Sequence, residues 1–454
     1  MRRVLEFALA MTAPLRRSMN LAHATAMVAG IILGASIFIQ PSEITHLVPS
    51  VPGLITVWLA AGALTLCGAL VCAELSTVFP STGGVYVFFR QIFSPALGFL
   101  WGWGMFWSMH SGIIAAIAVI LARYVGYFVP LGEWGTRSVA VAAILALSWI
   151  NYLGVKTGSA LQVALTAAKV AAVMAIAGAL FVFGRPAHAA LPLQNFTHAA
   201  SLADYSLAIA AGLFAYGGWH MATYAAGETR DPERTIPRAL LLGTLVVTAC
   251  YLLLNAGYVY VLPLAGVARS QRVAADAIAR VLGSGSAGAI AAVVIVSAMG
   301  GLNGIILAGP RVYYAMAQDG LVFRWMAAVH PKRQTPHLAI AAQAVCSCAL
   351  VATNSYRRLL TRVVYTEWLF FALLAAGLLL LVRRQQYRPR YLALAWPLLP
   401  VLFIAASLAI AINQIWADPA GSAVGLGLLL LGLPVYFVWS HQHSAKKAAS
   451  HADH

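Results

Sequence analysis

The chain has 454 residues, a length that in a soluble protein would suggest about three domains. Its composition excludes that: 61% of residues are hydrophobic and 9% are charged, against about 25% charged in soluble domains. With a mean hydropathy of +0.82 the chain reads as a polytopic membrane protein, and its net charge of +16 points to the anionic cytoplasmic leaflet rather than to nucleic acid.

Met1 to Asn20 is basic and weakly amphipathic, without the apolar run and small-residue cleavage site of a signal peptide. Twelve apolar stretches follow, each near the roughly 20 residues that cross a hydrocarbon core of about 30 Å. They are 20–45, 54–79, 95–127, 136–153, 160–184, 204–226, 237–262, 285–315, 337–353, 363–382, 391–412 and 422–440. They are apolar all round, so the expected fold is all-α rather than a barrel. Loops are short, so residues 1–454 are expected to form one membrane domain.

With the N-terminus inside, nineteen Lys and Arg fall on the cytoplasmic side, Arg311 among them, and nine on the outer side. Both tails, 1–19 and 441–454, are therefore expected in the cytoplasm. Arg357, Arg358 and Arg362 break the rule locally. Cys67, Cys72, Cys250, Cys346 and Cys348 all lie in apolar stretches, and no metal-ligand spacing or cofactor motif occurs.

Two spans stand apart. The first contains Gly30-Ile31-Ile32-Leu33-Gly34-Ala35-Ser36, and the sixth Gly212-Leu213-Phe214-Ala215-Tyr216-Gly217-Gly218-Trp219. A glycine costs a helix interior about 1 kcal/mol, yet these sit near mid-span. Small residues also permit close helix packing. Five spans apart, however, the two segments cross in opposite directions, as do the paired broken helices of inverted-repeat transporters. A break exposes amides on one half-helix and carbonyls on the other. Amides suit a carboxylate and carbonyls suit an ammonium. The amides of Gly34, Ala35 and Ser36 are thus candidates for a carboxylate. The carbonyls near Ile31, Ile32, Phe214 and Ala215 are candidates for an amine.

These motifs resemble those of the amino acid–polyamine–organocation superfamily, and within it the L-type amino acid transporters. Gly34-Ala35-Ser36-Ile37-Phe38 is similar to the first-span signature. Ala73-Glu74-Leu75 with Pro80-Ser81-Thr82-Gly83-Gly84-Val85-Tyr86 is similar to the second span and its loop. Phe214 to Trp219 is very close to the L-type sixth span. Asp231-Pro232-Glu233-Arg234-Thr235-Ile236-Pro237 and Gly301-Leu302-Asn303-Gly304 through Arg311 fit the segments expected later in the chain. The resemblance implies a five-plus-five inverted repeat over 20–382 with spans one and six broken, two additional helices over 391–440, alternating access, and amino acid transport without sodium. It implies that Phe214 occludes the substrate. One departure is Ala35-Ser36, where the family has a hydroxyl residue followed by glycine; another is His220, where L-type members commonly have asparagine.

Lys169 lies in an otherwise uncharged stretch, Leu161–Gly178. A lysine there costs roughly 2.5–3.5 kcal/mol to insert. By resemblance its ammonium replaces the sodium that bridges spans one and eight in sodium-coupled relatives. Glu74 is either an interfacial carboxylate or a gating partner of Arg90, Arg230 or Arg234. Asn303 is either a helix-bridging amide or part of a gate. Trp219 is either a substrate contact or a core aromatic. Tyr216 is a packing residue, Pro310 a kink, and His110 and His220 are hydrogen-bonded bundle residues or proton carriers.

The reading favoured is a secondary transporter of neutral, apolar amino acids, since apart from Lys169 the pocket segments carry no formal charge. It would work as an exchanger or proton symporter. An amino-acid/polyamine antiporter of other specificity, a non-transporting sensor and a membrane enzyme are the rivals; the spans contain no HExxH or GxSxG. The outer loop 126–137 has no cysteine, so a disulfide-linked heavy subunit is not expected.

Overall fold

The computed structural model describes residues 15–187, 200–270, 272–353, 356–384, 387 and 397–440. The tails, with Arg2, Arg3, Lys446 and Lys447, and the pair Arg388 and Arg390 lie outside the described residues; so do the side chains of Ala35, Arg357, Arg358 and Arg362. Among the described residues, nine helices are long and apolar enough to cross a membrane: Val51–Val78, Pro95–Val125, Glu133–Leu153, Val155–Phe183, Pro232–Val261, Ala287–Gln318, Tyr365–Val382, Leu398–Ala417 and Pro419–Ser440. They are spans two to five, seven, eight and ten to twelve. Span nine is the shorter His337–Thr353. Spans one and six are each split in two.

Among the described residues there is no strand, only an isolated bridge between Met19 and Thr229. The reason is solvation. In hydrocarbon every backbone N–H and C=O needs an internal partner, and a helix supplies it within the segment. Start signals lie in the sequence: the side chains of Asn20, Ser50 and Ser94 cap the first amides of spans one, two and three, and Ser201 and Asp204 form a capping box at span six. Span three changes pitch at Met105–His110, where it runs as a π-helix.

Span one lies against spans five, seven and eight, span seven against span two, and span eight against spans three and five. These helices enclose the two breaks. Span eleven is the least buried, at 22%, with spans four and twelve next at 28%; spans eleven and twelve pack on span ten. Arg311 does not belong among the charges that set orientation. It sits inside span eight with no exposed surface.

Candidate functional site: two broken helices and a buried ammonium

Span one runs as a helix over Leu21–Ile32, extends at Gly34 (φ −100°, ψ −170°), tightens to a 3-10 turn over Ala35–Phe38 and resumes as helix over Gln40–Leu47. No residue of this break has positive φ. Serine at position 36 is therefore accommodated without the strain that a left-handed position would impose. Span six is helical over Leu202–Ala215 and 3-10 over Trp219–Glu228. Its break does need glycine. Gly218 has φ +95°, and a Cβ there would collide with Ile31 across the gap.

The end of the first half of span one would leave carbonyls without intrahelical partners. Lys169 answers two of them. Its Nζ donates to Gly30 O and Leu33 O, each at 2.7 Å, and Ser297 of span eight donates to Leu33 O at 3.1 Å. The ammonium thus ties spans five, one and eight together. Gln162, Thr166 and Lys169 lie on one face of span five at helical spacing. Thr166 donates to Ala26 O at 2.9 Å, so that whole face reads the carbonyl edge of span one. A void of about 10 Å³ beside Lys169, lined by Gly34 and Ser297, has room for about one water molecule and none for an amino acid.

Two further carbonyls, one of which also accepts from the Gly34 amide, meet a residue outside the expected set. Tyr251, buried in span seven, places its hydroxyl 2.9 Å from Ile32 O and 2.9 Å from Ala215 O. One carbonyl comes from each break. A phenol has a single proton, so it donates to only one of them at a time, and the other retains acceptor capacity.

The other expected residues divide. Gly34 and Ser36 are partly open, and Phe214 and Gly217 are exposed, Phe214 by 60%. Ile31 and Ile32 are buried, with Ile31 wedged toward Gly218 and Gly304. Trp219 is 2% exposed; its ring packs 5.1 Å from Phe371 and 6.1 Å from Phe403, on the side of spans ten and eleven. Asn303 bridges helices: it donates to Gln162 Oε1 at 2.7 Å and Gly158 O at 3.1 Å, and accepts from Asn151 at 2.9 Å. Glu74 accepts from Tyr387 at 2.5 Å, and Arg90 instead pairs with Asp319. Among the described residues no three His, Cys, Asp or Glu side chains gather as a metal ion would require.

One side of the breaks is sealed. Ser18 and Met19 amides donate to Glu228 O at 2.8 and 3.0 Å, and Arg230 N to Met19 O at 2.8 Å. Gly83 N donates to Tyr224 O at 3.0 Å. Asp319 accepts from Tyr86 at 2.6 Å besides pairing with Arg90. Arg311 forks onto Glu228 with bonds of 2.7 and 3.1 Å, and neither side chain is exposed. Phe214 and Gly217 stay exposed despite these closures.

Glu367 of span ten also stands outside the expected set. Its Oε1 lies 3.6 Å from His220 Nε2, just past the span-six break. Its signal was available: like Lys169, it is an ionisable residue inside an apolar span.

Known proteins match this arrangement along most of its length. Residues 19–439 match the family described as amino acid permease. The rat large neutral amino acids transporter small subunit 2 is 30% identical over 451 residues, covering 94% of this chain and 82% of the relative. The serine/threonine exchanger SteT of Bacillus subtilis (strain 168) is 29% identical, covering 93% and 97%. The human cystine/glutamate transporter is 28% identical, covering 94% and 85%. A helical bundle with two interrupted spans, matched over residues 19–439 in this way, belongs to the amino acid permease family.

Proposed function

We propose that the chain is a sodium-independent secondary transporter of neutral amino acids that works by alternating access. The observation that carries this reading is the pair of breaks. Amides beginning at Ala35 and Ser36 suit a carboxylate, and the carbonyls of Ile32 and Ala215 around Tyr251 suit an ammonium, so the α-amino acid group is recognised without a charged side chain. Ser36 would hold the carboxylate, while Gly34, whose own amide is bonded to Ile32 O at 2.6 Å, would only line the approach; Ile31, Ile32 and Ala215 would frame the amine, and Gly217 would leave room for a side chain. Phe214 would close over the bound molecule, while Trp219 would support the break from behind. Glu74 and Asn303 would act as fixed links beside the moving segments.

Independence from sodium rests on Lys169. Its ammonium holds the Gly30 and Leu33 carbonyls and meets span eight through a shared acceptor. A second cation in that place would be repelled. The relatives named above include one called an exchanger and one called a small subunit; here exchange or proton symport is proposed, and partnership with a second subunit is not required by any cysteine of the outer loop 126–137. The core would be 20–382, with 391–440 appended, in the cytoplasmic membrane with both termini inside.

The test is uptake of radiolabelled leucine, alanine and serine into proteoliposomes in sodium-free buffer, with and without internal amino acid. Competition is expected from neutral amino acids and not from arginine or glutamate. Stimulation by sodium, or uptake confined to charged amino acids, would overturn the reading.

A further inference from the structure

Among the described residues Lys169, Arg311, Glu228 and Glu74 are buried charged groups, and each has a partner. Lys169 is held by two carbonyls, and Arg311 by a two-point fork to Glu228. Glu367 differs. Among the described residues no Lys or Arg reaches it; its partner is the His220 imidazole at 3.6 Å, too long for a hydrogen bond and close enough for a charge contact. Both ring nitrogens of His220 are buried without a hydrogen-bond partner. A buried polar atom left without a partner calls for an explanation, such as an ordered water, an ion or a proton-transfer role.

Among the described residues the walls carry no compensating fixed charge. Span three contributes Trp101, whose ring lies 5.6 Å from that of His220, and His110. The second half of span six contributes Tyr224, at 5.6 Å, and span eight contributes Tyr313, bonded to His110 Nδ1 at 2.8 Å. Span two brings the Cys72 thiol into electrostatic range of Tyr224. Glu367 keeps 14% of its side chain exposed while His220 is enclosed, so the pair has an edge that protein does not seal.

We propose that Glu367 and His220 together bind one transportable proton, making the carrier a proton–amino acid symporter. Loading takes a proton from a hydronium ion onto the carboxylate or the imidazole and leaves water; unloading returns it to water on the other side. On loading, one O–H bond of the hydronium ion breaks as one O–H or N–H bond forms on the pair, and unloading is the reverse. The empty pair has one negative charge and the loaded pair none. An uncompensated charge in the membrane interior is expensive, so rearrangement with the proton aboard is the favoured step. His220 belongs to the broken span and Glu367 to span ten, so motion of the break changes their separation. This rests on the carrier reading above.

The experiment uses the full chain in liposomes containing a pH-sensitive dye, in sodium-free buffer. An external mixture of leucine, alanine and serine should acidify the lumen. Glu367→Gln and His220→Gln should reduce that acidification toward the level of protein-free vesicles. Exchange of the same labelled amino acids at equal pH on both sides tests the carrier reading separately. Exchange by the wild type without acidification would overturn the symport and leave the carrier standing. Absence of exchange in the wild type would overturn both. Acidification by Glu367→Gln equal to wild type would overturn the assignment of the site. Should Glu367→Gln fail to fold, the wild-type and His220→Gln measurements still decide.

Discussion

Lys169 and Tyr251 do the same work by different chemistry. Each satisfies carbonyls freed by a broken helix, one with a charge and three protons, the other with a single hydroxyl proton. Lys169→Ala would leave the Gly30 carbonyl without its side-chain donor and the Leu33 carbonyl with Ser297 alone. Transport should fall more than tenfold while the protein still inserts, since a hydrogen bond to a charged group is worth about 1.5–3 kcal/mol. Lys169→Arg should rescue poorly, because a planar fork does not fit a site shaped for a compact ammonium. Uptake by the three proteins at matched expression checks both points. Tyr251→Phe removes only the oxygen shared by the two breaks. It should weaken amino acid binding by about 1–3 kcal/mol, read as a loss of thermal stabilisation by leucine, alanine or serine. At the other face of the site, Ser36→Leu should weaken binding more than it lowers expression. Retention of wild-type affinity in Ser36→Leu would place the carboxylate elsewhere.

At the scale of elements, the spans could be read because lipid demands long apolar helices, and the breaks because glycine is costly mid-helix. The position of Lys169 was legible for the same reason. What lay beyond the sequence was direction and partnership across spans. Trp219 is adjacent to the break in the chain, but its ring points to Phe371 and Phe403. Glu74 meets Tyr387 from a segment more than three hundred residues away. Tyr251 sits in a helix whose local pattern is ordinary, and only folding brings two carbonyls to it. Gly217 and Gly218 are equivalent in sequence, yet only Gly218 takes a left-handed conformation. Gly218→Ala should therefore cost at least about 1–2 kcal/mol from the backbone alone, with a further penalty from Ile31, whereas Gly217→Ala should be mild. Thermal unfolding midpoints of the two detergent-purified variants distinguish them.

For the whole molecule, the sealed side is closed by a few polar links over a larger packed surface. Arg90 and Asp319 are each about a quarter exposed, so breaking their pair should be worth about 1 kcal/mol or less. That is nevertheless enough to change the ratio of two conformers by up to about fivefold. Asp319→Asn should raise the rate at which a maleimide labels Ala222→Cys, which lies in the buried half of span six. An unchanged rate would mean that packing, and not this ion pair, keeps the side shut.

The fork between Arg311 and Glu228 has a consequence during biosynthesis. The two residues are 83 positions apart, so Glu228 is synthesised and delivered to the membrane before its partner exists. Until span eight arrives, the first half of the molecule holds a carboxylate whose permanent cation is still to come. Truncation before Arg311, or Arg311→Met alone, should leave a chain that cellular quality control destroys, since removing one member of a buried pair costs about 3–5 kcal/mol. Glu228→Gln combined with Arg311→Met should recover much of the lost yield. The ion pair would then serve as a checkpoint of completeness, stabilising the chain only once both halves of the bundle have been made.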